Sequence, residues 1–284
     1  VRAEPAFIEA AFVRACITEI EALKPGNVHV HAGGHGMQAA DFIASAHAAA
    51  PHIADPRLGV GERIHAAMRA TWESAGQNTN LGIILLCAPL AAAAEREGGG
   101  LRDRLRAVLD RLTVEDAEHA FRAIALANPG GLGSAPGADV RAPASVTLLE
   151  AMLLAADRDL IARQYKYGHG EVFGLGLSLL EKGLARFGDM RWAAAMVYLL
   201  LLSKFPDTHI WRKHGHEAAL GVRDEAVPFA EMLEAADNPQ SCVETLMTFD
   251  ASLKARGLNP GAIADLTVAT LFAWNLLTGM RDVA

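Results

Sequence analysis

Residues 7–23 read FIEAAFVRACITEIEAL. Phe7, Ala10, Val13, Ile17 and Ile20 recur at three- or four-residue steps, which gathers them on one face of a helix. Pro25-Gly26 stops that helix, because proline disfavours helical backbone in the residue before it and glycine admits a turn. The helical spacing resumes after the loop 25–36, PGNVHVHAGGHG. It predicts helices over about 37–50, 60–75, 80–97, 101–112, 114–127, 146–164, 172–187, 190–204, 217–236, 239–256 and 261–280. Pro89 falls inside the most apolar of these and predicts a kink or break there. Thr113-Val114-Glu115-Asp116 is a helix start, with acids near the positive end of the dipole. Residues 128–145, NPGGLGSAPGADVRAPAS, predict a long irregular stretch of the kind that carries function or moves. Runs with strand periodicity are scarce. Residues 1–284 therefore read as a single all-α domain of about ten or more packed helices.

Composition agrees. Hydrophobic residues are 51% and charged residues 21%, ample for a buried core and too apolar for a disordered chain. Aromatics are only 6%, which favours closely packed helices over a β-sandwich. Net charge is -7, from 33 acidic against 26 basic residues, which argues against a nucleic-acid partner. Cys16, Cys87 and Cys242 are odd in number and widely spaced, which argues against a disulfide framework and for a cytoplasmic protein. Arg2, Glu4 and Glu9 do not fit a signal peptide, and the runs Leu81–Ala94 and Trp192–Leu202 are too short to span a bilayer, so no membrane partner is expected. The apolar run 80–95 could equally fill a monomer core or a homodimer seam.

Four segments concentrate polar residues and glycine: 24–36, 76–82, 165–171 and 206–216. Lys24-Pro25-Gly26-Asn27 is a helix stop and turn, or an anion site in which glycine backbone and the Lys24 charge meet a phosphate. No Walker loop is present, and the glycine-rich stretch 130–137 lacks the strand context of a dinucleotide site. His29, His31 and His35, with His209, His214 and His216, make two histidine-rich loops. These suit a transition metal, polar substrate contacts or plain capping. Asn78-Thr79-Asn80-Leu81-Gly82 either caps a helix or offers its free N–H groups to an anion, with Gly82 leaving room for a ligand. Asp207 and Arg212-Lys213 combine an acid with cations, as surface salt bridges do and as a magnesium-bound polyphosphate site does. Asp265 in a first helical turn is explained by the dipole alone.

Taken in order, these segments resemble the triphosphoribosyl-dephospho-coenzyme-A synthase family. Its pattern runs roughly E…KPGLVD, GxHxDM, NTHKG before an apolar helix, YGxxGxxxEA, D-T-N/H with basic residues, and PGGxADL. This chain has Glu19 or Glu21 before Lys24-Pro25-Gly26, then Gly34-His35-Gly36-Met37 with Phe42, Ser45 and Ala46. It continues with Asn78-Thr79-Asn80-Leu81-Gly82, Tyr167-Gly168 with Gly170-Glu171, Asp207-Thr208-His209 to Gly215, and Pro260-Gly261 with Ala264-Asp265-Leu266. The resemblance implies an all-helical transferase that uses ATP with magnesium. Such an enzyme moves the 5-triphosphoribosyl group to the 2'-hydroxyl of 3'-dephospho-coenzyme A and releases adenine.

That reaction builds positive charge on the sugar, protonates a leaving base and takes a proton from the acceptor. The resemblance places Asp207, Glu171 and Asp265 as candidates for sugar or metal, with Asp207 and Asp265 on the magnesium. It places His35 and His209 as proton carriers. Lys24, Gly26, Asn78, Thr79, Asn80, Gly82, Arg212 and Lys213 are its candidate substrate contacts. The departures mark a divergent branch. His29 replaces an acid, the acid of HxDM is missing beside Met37, and NTHKG has become Asn78-Thr79-Asn80-Leu81-Gly82. Two alternatives stand beside it: the resemblance to a divergent branch implies a member acting on another acceptor in pterin or furan coenzyme synthesis, and the residues themselves allow a metal-dependent hydrolase using both histidine loops. A third is a ligand-binding protein without turnover.

Overall fold

The computed structural model describes residues 2–130 and 139–281. Most of the glycine-rich stretch 130–137, with its neighbour 138, lies outside the described residues. The described residues form α1 (Pro5–Glu21), α2 (Ala39–Ile53), α3 (Val60–Ala75), α4 (Leu81–Ala94), α5 (Leu101–Leu109), α6 (Val114–Ala127), α7 (Leu148–Ala155) and α8 (Leu160–Lys166). They continue with α9 (Leu177–Phe187), α10 (Met190–Leu202), α11 (Thr208–His214), α12 (His216–Ala235), α13 (Val243–Ala255) and α14 (Gly261–Arg281). A π-turn, Val172–Gly176, leads into α9, and a 3-10 turn, Pro239–Cys242, leads into α13. No strand occurs among the described residues, only the isolated bridges His29–Ala32 and Gly34–Met37 that fold the histidine loop into tight turns.

Three apolar helices form the centre. On α4 every residue but Gly82 and Ala92 is buried, and on α10 the run Ala193–Leu202 is continuous core. Helix α14 is long and apolar enough to cross a membrane, but most of it is buried here, against α1, α4 and α10. Its Phe272 meets Phe12 of α1 edge to face with ring centroids 5.8 Å apart. Each such fully buried side chain contributes about 1.5–3 kcal/mol. The apolarity of 80–95 is thus satisfied within one chain.

Three expectations change. Pro89 does not break the helix; α4 continues through it to Ala94. Proline leaves the carbonyl four residues back without its N–H partner, and the Tyr165 hydroxyl donates to that carbonyl, Leu85 O, at 2.7 Å. The single helix expected over 146–164 is two. Asp159 accepts from Ile161 N and Ala162 N at 2.9 and 3.0 Å and so starts α8 afresh. Residues 206–216, read as a loop, contain α11, which Asp207 caps.

Candidate active site

The turn after α1 is built around Gly26, whose φ of +83° favours glycine. A Cβ there would lie 2.8 Å from Leu253 Cδ1 and 2.9 Å from Pro260 Cδ. Its N–H donates to Asp250 Oδ1 at 2.8 Å, and its carbonyl is 2.9 Å from His35 Nε2. This glycine is required by the packing and does not line the cavity described below. Lys24 behaves likewise. It is fully buried, pairs with Glu19, and donates to Asn27 Oδ1 at 2.8 Å. Asn27 in turn donates to Asn259 Oδ1 at 2.8 Å. Burial pushes the Lys24 ammonium down and the Glu19 carboxyl up, and their mutual attraction opposes both shifts. Lys24 therefore stands behind the wall, and Glu19 is the member of the pair that reaches the cavity.

That cavity, about 730 Å³, lies between the end of α1, the start of α4, α6, α7, α8, α11 and the start of α14. One side is polar. Asp265 of α14 lines it and has no hydrogen-bond partner among the described residues. Burial, then the negative charges of Glu19 and Asp207, push its carboxyl well above the usual carboxylate range. Gly82 makes room for it: a Cβ there would sit 2.0 Å from Asp265 Oδ2. The absent side chain at Gly82 thus accommodates Asp265. Asn80 is 4% exposed, lines the same wall, and neither atom of its amide has a partner. The cap of α4 comes instead from Asn78, whose Oδ1 accepts from Leu81 N at 3.1 Å. Thr79 donates to Ser45 Oγ at 2.7 Å.

Cations gather at α11 and before α8. Arg212 donates to Asp159 Oδ2 at 2.6 Å, and Arg158 and Lys213 are exposed residues of the lining. His209 lines the cavity beside them, packed so closely on Gly261 that a Cβ there would lie 2.9 Å from Nδ1. Its Nε2 is buried without a partner. Burial and then the charges of Lys213 and Arg212 bring its pKa down to about 3, so the ring is neutral. The remaining wall is apolar, with Leu85, Phe121, Ile124, Leu148, Met152 and Ile161.

The structure brings His35, Asn78, Thr79, Asn80, Gly82, His209, Arg212, Lys213 and Asp265 to this cavity, and leaves Lys24, Gly26, Glu171 and Asp207 outside its lining. Glu171 is held by Arg163 at 2.6 Å and Gln164 at 2.8 Å. Asp207 accepts from His209 N (2.8 Å), Ile210 N (3.0 Å) and Ile263 N (2.9 Å), tying the starts of α11 and α14 together. With both oxygens engaged, Asp207 does not fit the magnesium site expected with Asp265. Among the described residues no group of three His, Cys, Asp or Glu side chains could hold a metal. Three rings of the histidine loops are spent elsewhere: His29 faces Asp250 at 3.4 Å, His214 meets Gly257 O at 3.1 Å, and His216 lies tilted against Trp211 with ring centroids 4.2 Å apart.

Glu19, Asn27, Arg158, Asp159 and Asn259 line the cavity with no role foreseen for them. Glu19 carried a signal, five residues before Lys24 and one helical turn into the buried face. The other four had none beyond their positions at turns.

Comparison with known proteins gives the class first. A crystal structure from Archaeoglobus fulgidus, assigned provisionally as a triphosphoribosyl-dephospho-coA synthase, is 27% identical to this chain. The two superpose with a TM-score of 0.65 over 82% of this chain and 97% of that one. The fold is that of an all-helical transferase. Residues 5–282 match the family model for ATP:dephospho-CoA triphosphoribosyl transferase, and the chain belongs to that family. No curated protein matches it. The comparisons favour neither the hydrolase nor the one-carbon alternative.

Proposed function

We propose that this cavity binds ATP and 3'-dephospho-coenzyme A and transfers the 5-triphosphoribosyl group from the first to the second, releasing adenine. One observation carries the proposal. A single cavity is lined both by the carboxyls of Glu19 and Asp265 and by three cations, Arg158, Arg212 and Lys213. Cleaving a ribose–adenine bond makes the sugar cationic, and a carboxylate held beside it lowers that barrier. Glu19 suits this task because its pairing with Lys24 opposes the rise that burial imposes on its carboxyl. The cations suit the triphosphate. Asn78, Thr79, Asn80 and Gly82 form the wall against which the nucleotide rests, and His35 and neutral His209 offer polar contacts. Magnesium comes with the triphosphate as part of the nucleotide substrate, and no residue of the chain is assigned to it.

The test incubates the protein with ATP, magnesium and 3'-dephospho-coenzyme A and follows free adenine by chromatography. Adenine that requires both substrates, and falls at least a hundredfold in Glu19→Gln, supports the proposal. No adenine from the wild-type protein sinks it.

A further inference from the structure

We propose that Asp265 is the general acid of the reaction and delivers its proton to the departing adenine. The inference deepens the proposed function and rests on it. Four carboxyls line the cavity, and three have partners. Glu19 pairs with Lys24, Asp139 accepts from Arg141 N at 3.0 Å, and Asp159 holds Arg212 and the start of α8. Asp265 alone among the described lining carboxyls has none. It lies over the first turn of α4, in the space that Gly82 leaves, yet no N–H of that turn donates to it. A carboxylate in such a place would be stabilised by nothing but distant charge, whereas a carboxylic acid costs little there.

The charged and titratable groups around Asp265 favour the acid form. Glu19 of α1, Asp207 at the start of α11 and Asp159 before α8 repel a further negative charge. Against them stand Arg212, already paired with Asp159, and Lys24, already paired with Glu19. The neighbouring thiols Cys16 and Cys87 are buried and neutral. The two histidines expected to carry protons are poorer donors. His209 is neutral, and its Nε2 is buried. His35 is engaged with the Gly26 carbonyl. Burial raises both carboxyls, Glu19 and Asp265, but only Glu19 is paired with a cation, Lys24, that opposes the rise, and that difference divides the stabilising and proton-donating roles between them.

The step balances. The bond between ribose C1' and adenine N9 breaks, and its electron pair leaves with the base. The Asp265 proton goes to a ring nitrogen of adenine, and the acceptor hydroxyl bonds to C1'. The hydroxyl proton then restores Asp265, directly or through water.

The experiment compares ATP with ATP methylated at N7 of adenine, whose base leaves as a neutral molecule and needs no proton. Wild type and Asp265→Asn are assayed for base release with both donors at two magnesium concentrations. With ATP, the variant is expected to lose about 10²–10⁴-fold. With the methylated donor it stays within about tenfold of wild type, the residual loss allowed for a changed contact. That recovery also shows the variant is folded. An equal loss on both donors, a loss reversed by added magnesium, or full activity on ATP overturns the role of Asp265 while leaving the cavity's function standing. Wild type that releases no base from either donor overturns both.

Discussion

Asp207 is fully buried and accepts three backbone N–H groups, two from α11 and one from α14. Its removal loosens two helix starts at once. Asp207→Asn keeps one acceptor oxygen but turns an NH2 group toward a donor, which costs about 1–3 kcal/mol. The cost depends on pH. Burial raises the carboxyl from 3.8 in the unfolded chain to about 6 in the folded one, so folding takes up a proton between those values. The stability this contributes is fully present below 3.8 and is lost as pH rises through about 6. The difference in unfolding free energy between wild type and Asp207→Asn should therefore shrink by about 1 kcal/mol from pH 5 to pH 7.5. Urea melts at the two values measure it. Lys24 has the same character. Lys24→Met strands Glu19 as a buried carboxyl without its cation, which costs about 3–5 kcal/mol, while Glu19→Gln with Lys24→Met recovers much of that. Sequence shows an acid or a base but not its depth. Lys24 and Asp207 carried charges suited to ligands, and only their burial assigns them to the frame. Asp265, explained in sequence by a helix dipole alone, is the one left facing the cavity.

At the scale of the helix, Pro89 and Tyr165 form a unit across two elements. The proline withholds an N–H from Leu85 O, and the tyrosine of α8 supplies a hydroxyl at 2.7 Å. Tyr165→Phe then leaves a buried carbonyl unsatisfied and should cost about 1–3 kcal/mol. In a Pro89→Ala background the restored N–H can take that carbonyl, so the same change should cost less than half as much. Chemical denaturation of the four proteins gives the coupling, and equal costs in both backgrounds would refute the pairing. Most helices were legible because a buried stripe recurs every three or four residues over at least three turns, as on α1 and α3. Helix α11 was not, since its seven residues are too short to show a period and its existence rests on the Asp207 cap. The break between α7 and α8 was hidden for a related reason: the apolar spacing runs on across it, and Asp159 and a bond from Leu160 N to Thr208 Oγ1 at 3.1 Å make the division.

Over the whole molecule, residues as distant in sequence as Glu19, Asn80, His209 and Asp265 meet on one cavity. Single-sequence periodicity holds no trace of that meeting, but the ordered motifs of the family do. His35, Met37, Phe42, Asn78 to Gly82, His209, Trp211 to Lys213 and Asp265 all belong to those motifs and line the cavity. Glu171 belongs to them too and serves the ion pair with Arg163 instead. What the motifs did not reveal is the apolar half, built by the end of α6, α7 and α8. Both substrates carry a nucleotide with phosphates, but only 3'-dephospho-coenzyme A carries a long, mostly uncharged arm. Apolar walls recognise such an arm by burial and give little to a triphosphate. Ala151 of α7 lies on this wall. Ala151→Trp should fill that side and raise KM for the acceptor at least tenfold, equivalent to about 1.4 kcal/mol of lost binding, while KM for ATP changes less than twofold. Steady-state kinetics with each substrate varied in turn decides it. A rise confined to ATP would place the adenine in the apolar half and turn the acceptor toward the cationic rim.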